Sequence, residues 1–229
     1  MTRTAFLSRI SLRRDGSVMA LARLLVPNGG AAPRHATAHH LLWSLFADSP
    51  DRRRDFLWRE ESAGRFYTLS SREPMDRHNL FIIESKPFEP CLAPGDRLRF
   101  SLRANPVVSR FSGRDTRGVR HDVIMDALRH VPREERSYRR FSIAVEAGRA
   151  WLARQGQRHG FVPDPNVAVD GYENLRLPRP GGARPLVFST VDFDGVLTVT
   201  DPEAFLAQLF VGFGRARAFG CGLMLIRRA

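Results

Sequence analysis

At 229 residues with 36 Lys and Arg against 24 Asp and Glu, the chain carries a formal charge of +12, the electrostatic footprint of a protein whose partner is a polyanion. Lys86 is the only lysine, which excludes an NTPase-type phosphate loop and a Schiff-base enzyme, since both need a suitably placed lysine. Cys91 and Cys221 lie far apart with no CxxC pair, so neither a zinc knuckle nor a disulfide framework is indicated and a reducing compartment is expected.

The opening has no charged-then-apolar leader, and no apolar run approaches the ~20 residues of a membrane span. A soluble, cytoplasmic protein with no membrane partner is therefore expected. Residues 5–12 alternate apolar and polar side chains as a half-buried strand does. A Gly/Ala/Pro-rich loop over 27–33 leads into a helix that runs to about 46, and strand-like runs follow at 55–60, 65–70, 80–87 and 96–103. The stretch 104–120 is polar and rich in Arg, Gly and Ser; it reads as the linker region, with the break at 109–120. Helical patterning resumes at 122–129 and 136–154, and extended segments follow at 167–177, 185–192 and 195–200. Asp201-Pro202-Glu203 opens a helix well, with Pro in the first turn and acids at the positive end of the dipole. Residues 204–210 continue that helix, and an apolar strand at 223–226 closes the chain's pattern. At 43% hydrophobic the chain can fill two small cores. The alternation predicts an α+β fold of two tandem ferredoxin-like (RRM-like) domains with antiparallel sheets, over 1–108 and 121–229.

In the first helix, positions 39, 42, 43 and 46 share one face, which puts His39 on the stripe of Leu42, Trp43 and Phe46. A histidine there is either a core-edge residue or a catalytic group presented by a rigid helix, and the pattern alone leaves both open. His35 and His39 are spaced as two metal ligands on one face would be, but the glutamate of HExxH is missing and no metal site is expected. Residues 212–222 read GFGRARAFGCG. Gly212, Gly214, Gly220 and Gly222 would let backbone N–H groups approach a phosphate, and Arg215 and Arg217 add fixed charge, so the segment is expected to cradle a nucleic-acid backbone. A second basic element, 174–184, reads as a hairpin with a Gly181-Gly182 tip and Arg176, Arg179 and Arg184 on its arms. On A-form RNA such arginines read phosphates and groove shape. The acidic pair Glu134-Glu135 lies in a basic helical segment and is expected at the surface, not in a paired-carboxylate metal centre.

Four stretches together resemble the CRISPR repeat-processing endoribonucleases of type I-E systems: AHHLLWSLF at 38–46, the Arg103-Ala104-Asn105-Pro106 turn, FDGVL at 193–197 and the terminal GFGRARAFGCGL. The likeness runs in order over nearly the whole chain. The two GxG pairs five residues apart, followed by an apolar strand, are typical of the wider repeat-processing superfamily; the His-x-x-Leu-Trp helix and the RANP turn narrow it to the type I-E branch. The resemblance implies two ferredoxin-like domains, binding of the CRISPR repeat RNA hairpin, and a cut at the 3′ base of its stem without metal or other cofactor. It also implies that the product is retained with the other subunits of the type I-E surveillance complex. It places the catalytic histidine at His39. Some relatives carry a tyrosine one turn earlier; Ala36 stands there in this chain, which leaves His35, His40 or an arginine as the assisting group. Metal-free cleavage uses the RNA's own 2′-OH, and a histidine with an ordinary pKa of ~6.5 can serve as base or as acid. The sequence leaves that choice open. A non-catalytic RNA-hairpin-binding protein of the same fold and a metal-dependent nuclease are the other classes; cleavage in EDTA separates them from the first.

Overall fold

A computed structural model describes residues 5–15, 31–47, 54–111, 118–178 and 183–229. The first sheet is built from β1 (Phe6–Leu12), β2 (Phe56–Ser62), β3 (Arg65–Ser70) and β4 (Phe81–Pro87). They run antiparallel in the order β2-β3-β1-β4, with helix α1 (Ala31–Trp43) crossing over between β1 and β2. The strand order 4-1-3-2 is that of a ferredoxin-like sheet. Alternation in β1 sends Ser8 and Ile10 inward, and Ile10 meets Leu42 and Phe46 together with Phe56, Trp58, Phe66 and Phe81. The segment expected as a loop over 27–33 is already helical at Ala31. Pro33 fits there because the first turn of a helix has no use for its missing N–H. At the other end the helix gives way at Ser44, whose hydroxyl donates to the Leu41 carbonyl, so it stops three residues short of the expected end.

The second sheet comprises β5 (Arg97–Ala104), β8 (Phe161–Pro163), β9 (Ala168–Leu177), β10 (Leu186–Val199) and β11 (Met224–Arg228). The order is β11-β5-β10-β8, with β9 also paired to β10. Helices α2 (Val123–Leu128), α3 (Arg136–His159) and α4 (Pro202–Val211) complete this half. Its core gathers Leu102, Ile124, Trp151, Leu152, Phe161, Phe193, Leu197, Phe205, Leu209 and Phe213. Asp201 caps α4 by accepting from the Ala204 N–H at 3.0 Å, as its DPE opening predicts.

Four boundaries differ from the sequence expectation. The strand Arg97–Ala104, assigned by the 108 boundary to the first half, pairs with β10 and β11 and so starts the second sheet. The division between sheets falls in residues 88–96, because Leu98, Phe100 and Leu102 point into the second core. The stretch read as a linker holds a hairpin instead, β6 (Val107–Arg110) against β7 (Val119–Asp122); its Arg-rich composition concealed the short Val107-Val108 and Val119 signals. The extended segments expected at 185–192 and 195–200 are one strand running through Gly195, where a Cβ would stand 2.9 Å from Val167. Helix α3 extends to His159, past the expected end at 154, and is closed by Gly160 at φ 70, a left-handed cap that favours glycine.

The two sheets are fused through side chains. Trp58 of β2 is fully buried, and its Nε1 donates to the Ala218 carbonyl at 3.1 Å. Arg59 of the first sheet donates to Ser101 Oγ of the second at 2.7 Å and stands 4.0 Å from Asp192, which Arg103 of the second sheet grips at 2.9 and 2.7 Å. Ala5, Leu57, Leu69 and Leu223 form a small apolar cluster across the same junction. Cys221 sits there too, and burial pushes its thiol up to about 12, so it is an inert packing group.

Candidate active site at the junction of the sheets

Helix α1 presents His39 beside the glycine-rich segment of the other half. Ala38, Leu42 and Phe46 anchor the helix in the core, and His39 is left half-buried at its edge. Its ring centroid lies 6.0 Å from Trp43, 6.0 Å from Phe219 and 5.5 Å from His40. Nδ1 is buried with no hydrogen-bond partner, so proton exchange with a substrate falls to Nε2. Burial is the main cause that lowers the imidazole pKa below its ordinary 6.5, and the His40 and Arg54 charges add to it. Both causes favour the neutral imidazole in the free protein.

The neighbouring charge is positive. Arg54, just before β2, has a buried Nη1 with no partner, and burial together with the Arg217 charge makes its guanidinium less basic than usual. Among the described residues no carboxylate pairs with Arg54 or Arg217. Two arginines and two histidines gathered without acids are unfavourable alone and are neutralised by an anion. Residues of the expected site divide accordingly. His39, Arg217 and Phe219 come together, and Arg215 stands exposed on the same loop. His40 is exposed beside His39. His35 lies on α1, and its side chain is outside the described residues.

The glycines are packed against protein. All four have positive φ, and three of them are buried against protein. A Cβ on Gly212 would meet Leu57 at 2.8 Å, on Gly214 the Asn105 carbonyl at 2.7 Å, on Gly220 the Trp58 ring at 3.1 Å and on Gly222 the Phe213 carbonyl at 2.9 Å. Their small size seats the loop on the junction; the charge is carried by the arginines. Arg217 is itself part of that seating, since its Nη1 donates to the Val211 carbonyl at 2.5 Å. Between the GxG pairs, Ala216 adopts φ 50, a left-handed conformation that costs an alanine ~1–2 kcal/mol.

The basic hairpin is present as two paired arms, with Leu177 opposite Leu186 and Arg176 opposite Val187. Arg176 and Arg184 are exposed. Arg179, Gly181 and Gly182, the expected tip, lie outside the described residues. Helix α1 packs beside β9, and Phe188 of β10 meets Phe219, which in turn meets His39. Sequence reasoning missed Arg54, the last of the Arg52-Arg53-Arg54 run, whose position before a strand was the available signal. It also missed the ring pair Phe188 and Phe219, 5.4 Å apart.

Residues 5–228 match the profile of a family described as CRISPR associated protein. The chain belongs to that family. Within it, the chain is 29% identical over 193 residues to the CRISPR system Cascade subunit CasE of Escherichia coli K12, covering 81% of this chain and 88% of the relative. It is 30% identical over 155 residues to the CRISPR-associated endoribonuclease Cse3 of Thermus thermophilus, covering 63% of this chain and 62% of that one. Among solved structures, Cse3 bound to a 19-nucleotide RNA superposes with a TM-score of 0.70 at 25% identity, covering 99% of this chain and all of the other. Cas6e of E. coli K-12 does so with 0.63 at 22% identity over 98% of this chain and all of the other, a likeness of fold. The family fold is thus the tandem ferredoxin-like pair, α+β with antiparallel sheets. No helix among the described residues is long and apolar enough to cross a membrane.

Proposed function

We propose that this chain is a metal-independent endoribonuclease that binds the stem-loop of CRISPR repeat RNA, cuts at the 3′ base of the stem and keeps the product within the type I-E surveillance complex in the cytoplasm. The observation that carries the reading is His39, half-buried with its pKa lowered, beside Arg54 and Arg217, with which no carboxylate among the described residues pairs. Relatives named as a Cascade subunit and as an RNA-bound endoribonuclease support it.

The chemistry follows from those groups. Nε2 takes the proton of the 2′-OH at the nucleotide preceding the cut, and the resulting oxygen attacks the adjacent phosphorus in line. Arg54 and Arg217 offset the charge that grows on the phosphorane oxygens. The P–O5′ bond breaks, the leaving oxygen takes a proton from solvent water while Nε2 returns its proton to solvent, and the products are a 2′,3′-cyclic phosphate and a 5′-hydroxyl. Cations already crowd this site, which makes a divalent metal a poor fit. In EDTA, a labelled repeat hairpin is expected to be cut once, and a single 2′-deoxy substitution before the scissile phosphate to abolish the cut. A 3′-hydroxyl product, or a need for magnesium, would overturn the mechanism.

The lowered pKa of His39 gives the base role a signature in pH. Since kcat/KM reports the free enzyme, it should rise with pH, reach half its maximum below 6.5 and stay level to pH 8. A decline from pH 6 to 8 would make His39 the acid instead.

The ribbon arginines are assigned to the duplex. Replacing Arg176, Arg179 and Arg184 together with Ala should weaken hairpin binding and reduce its log–log salt slope by about 2–3 units, at somewhat under one unit per lost phosphate contact. Unchanged affinity and slope would transfer RNA contact to Arg215 and the glycine loop.

A further inference from the structure

Next to His39, across the ring of Phe219, lies an open cleft of about 530 Å³, within the range of ~300–1,000 Å³ usual for small-ligand sites. It is lined by Phe188, Phe219, Val107, Arg120, His121 and Arg215 among others. The floor is a free strand edge. Pairing of β5 with β10 ends at Ala104 opposite Val191, so among the described residues Leu186–Ser189 pair with β9 alone. Beyond the end of β5, the Asn105 side-chain amide donates to the Ser189 carbonyl at 2.8 Å, which shows that this carbonyl points away from β9. By the two-residue period of a strand, the N–H and C=O of Val187 face the cleft as well, one donor and one acceptor side by side. Among the described residues the only acid lining the cleft, Asp122, is already engaged. It accepts from the backbone N–H groups of Ile124 and Met125, from Tyr172 and from Ser189. Net charge at the rim is therefore positive.

An aromatic pair, a donor–acceptor edge and uncommitted arginines are the three things an unstacked nucleotide binds: ring faces for its base, an edge for its polar groups and cations for its phosphate. A base inside a duplex cannot offer its face. The cleft shares Phe219 with His39, so an RNA chain held for cleavage at His39 would pass beside it. We propose that this cleft is a subsite for the first unpaired nucleotide on the leaving side of the scissile phosphate, with its base against Phe188 and Phe219 and its phosphate held by Arg215 and Arg120. The inference rests on the RNA-hairpin reading given above.

The test uses repeat hairpins blocked by 2′-deoxy substitution, with the base of that nucleotide either present or removed. Wild-type protein should bind the abasic RNA about fivefold or more weakly, since stacking one base on an aromatic ring contributes ~1–3 kcal/mol. Phe188→Leu should bind the intact RNA that much more weakly and be indifferent to base removal. Arg120→Ala, on the surface and harmless to folding, should lose about one unit of salt slope only when the flanking nucleotide is present. If wild type binds intact and abasic hairpins equally, or if only an abasic site on the 5′ flank matters, the subsite is wrong while the hairpin reading stands. Failure to bind any repeat hairpin would instead overturn the hairpin reading, and the subsite with it.

Discussion

Replacing His39 with Ala is expected to slow single-turnover cleavage of a repeat hairpin by ~10²-fold or more, the usual loss for one proton-transfer catalyst, equivalent to about 2.7 kcal/mol of barrier. The structure makes this a clean test. No hydrogen bond is broken, because Nδ1 has no partner, so truncation orphans no buried donor or acceptor. The ring's contacts with Trp43 and Phe219 are tilted, at 6.0 Å between centroids, and the helix remains anchored by Leu42 and Phe46. Hairpin affinity should change little, since the arginines of the ribbon and loop are untouched. His40→Ala, at an exposed position one residue on, should have a milder effect. Cleavage at the wild-type rate by the His39→Ala protein would remove His39 from the chemistry and leave a binding protein or a different catalyst.

Much of this arrangement was legible in the sequence because it rests on local pattern. The 3.6-residue period placed His39 on the stripe of Leu42 and Phe46, and both of those are buried. The alternation in residues 5–12 marked β1, and Asp201-Pro202 marked the start of α4. What the pattern could not carry was which strand pairs with which. Arg97–Ala104 alternates cleanly and would suit either sheet; only the packing of Leu98, Phe100 and Leu102 on the second core decides it. For the same reason the active-site neighbours were hidden. Arg54 and Arg217 are 163 positions apart in sequence, and their charges meet only because Trp58 of β2 docks on Ala218. Glycine is the sharpest case: its presence is plain in the sequence, and the structure adds a second reason for it, the close approach of Leu57, Asn105, Trp58 and Phe213. A sequence shows that side chains are absent, and it does not show whether the space is left for a phosphate or for a tryptophan.

That distinction can be measured. Gly220→Val should destabilise the protein strongly, by about 3 kcal/mol. A β-branched residue at φ 79 is strained, by ~1–2 kcal/mol for the left-handed conformation. A Cβ there also stands 3.1 Å from two atoms of the Trp58 ring, and forcing extra atoms into packed space costs ~1–3 kcal/mol. Trp58 cannot yield easily, because it is fully buried and its Nε1 is held by Ala218. In a domain pair of this size the loss corresponds to a fall in Tm of about 6–12 °C, at ~2–4 °C per kcal/mol. Below the shifted Tm, the folded fraction should still bind the repeat hairpin nearly as wild type does, since Arg215 and Arg217 are kept. If Gly220→Val melts at the wild-type temperature and yet loses its RNA, the loop backbone touches phosphate directly and the glycines are the cradle after all. A depressed Tm with preserved binding fixes them as the seat that holds the arginine-bearing loop beside His39.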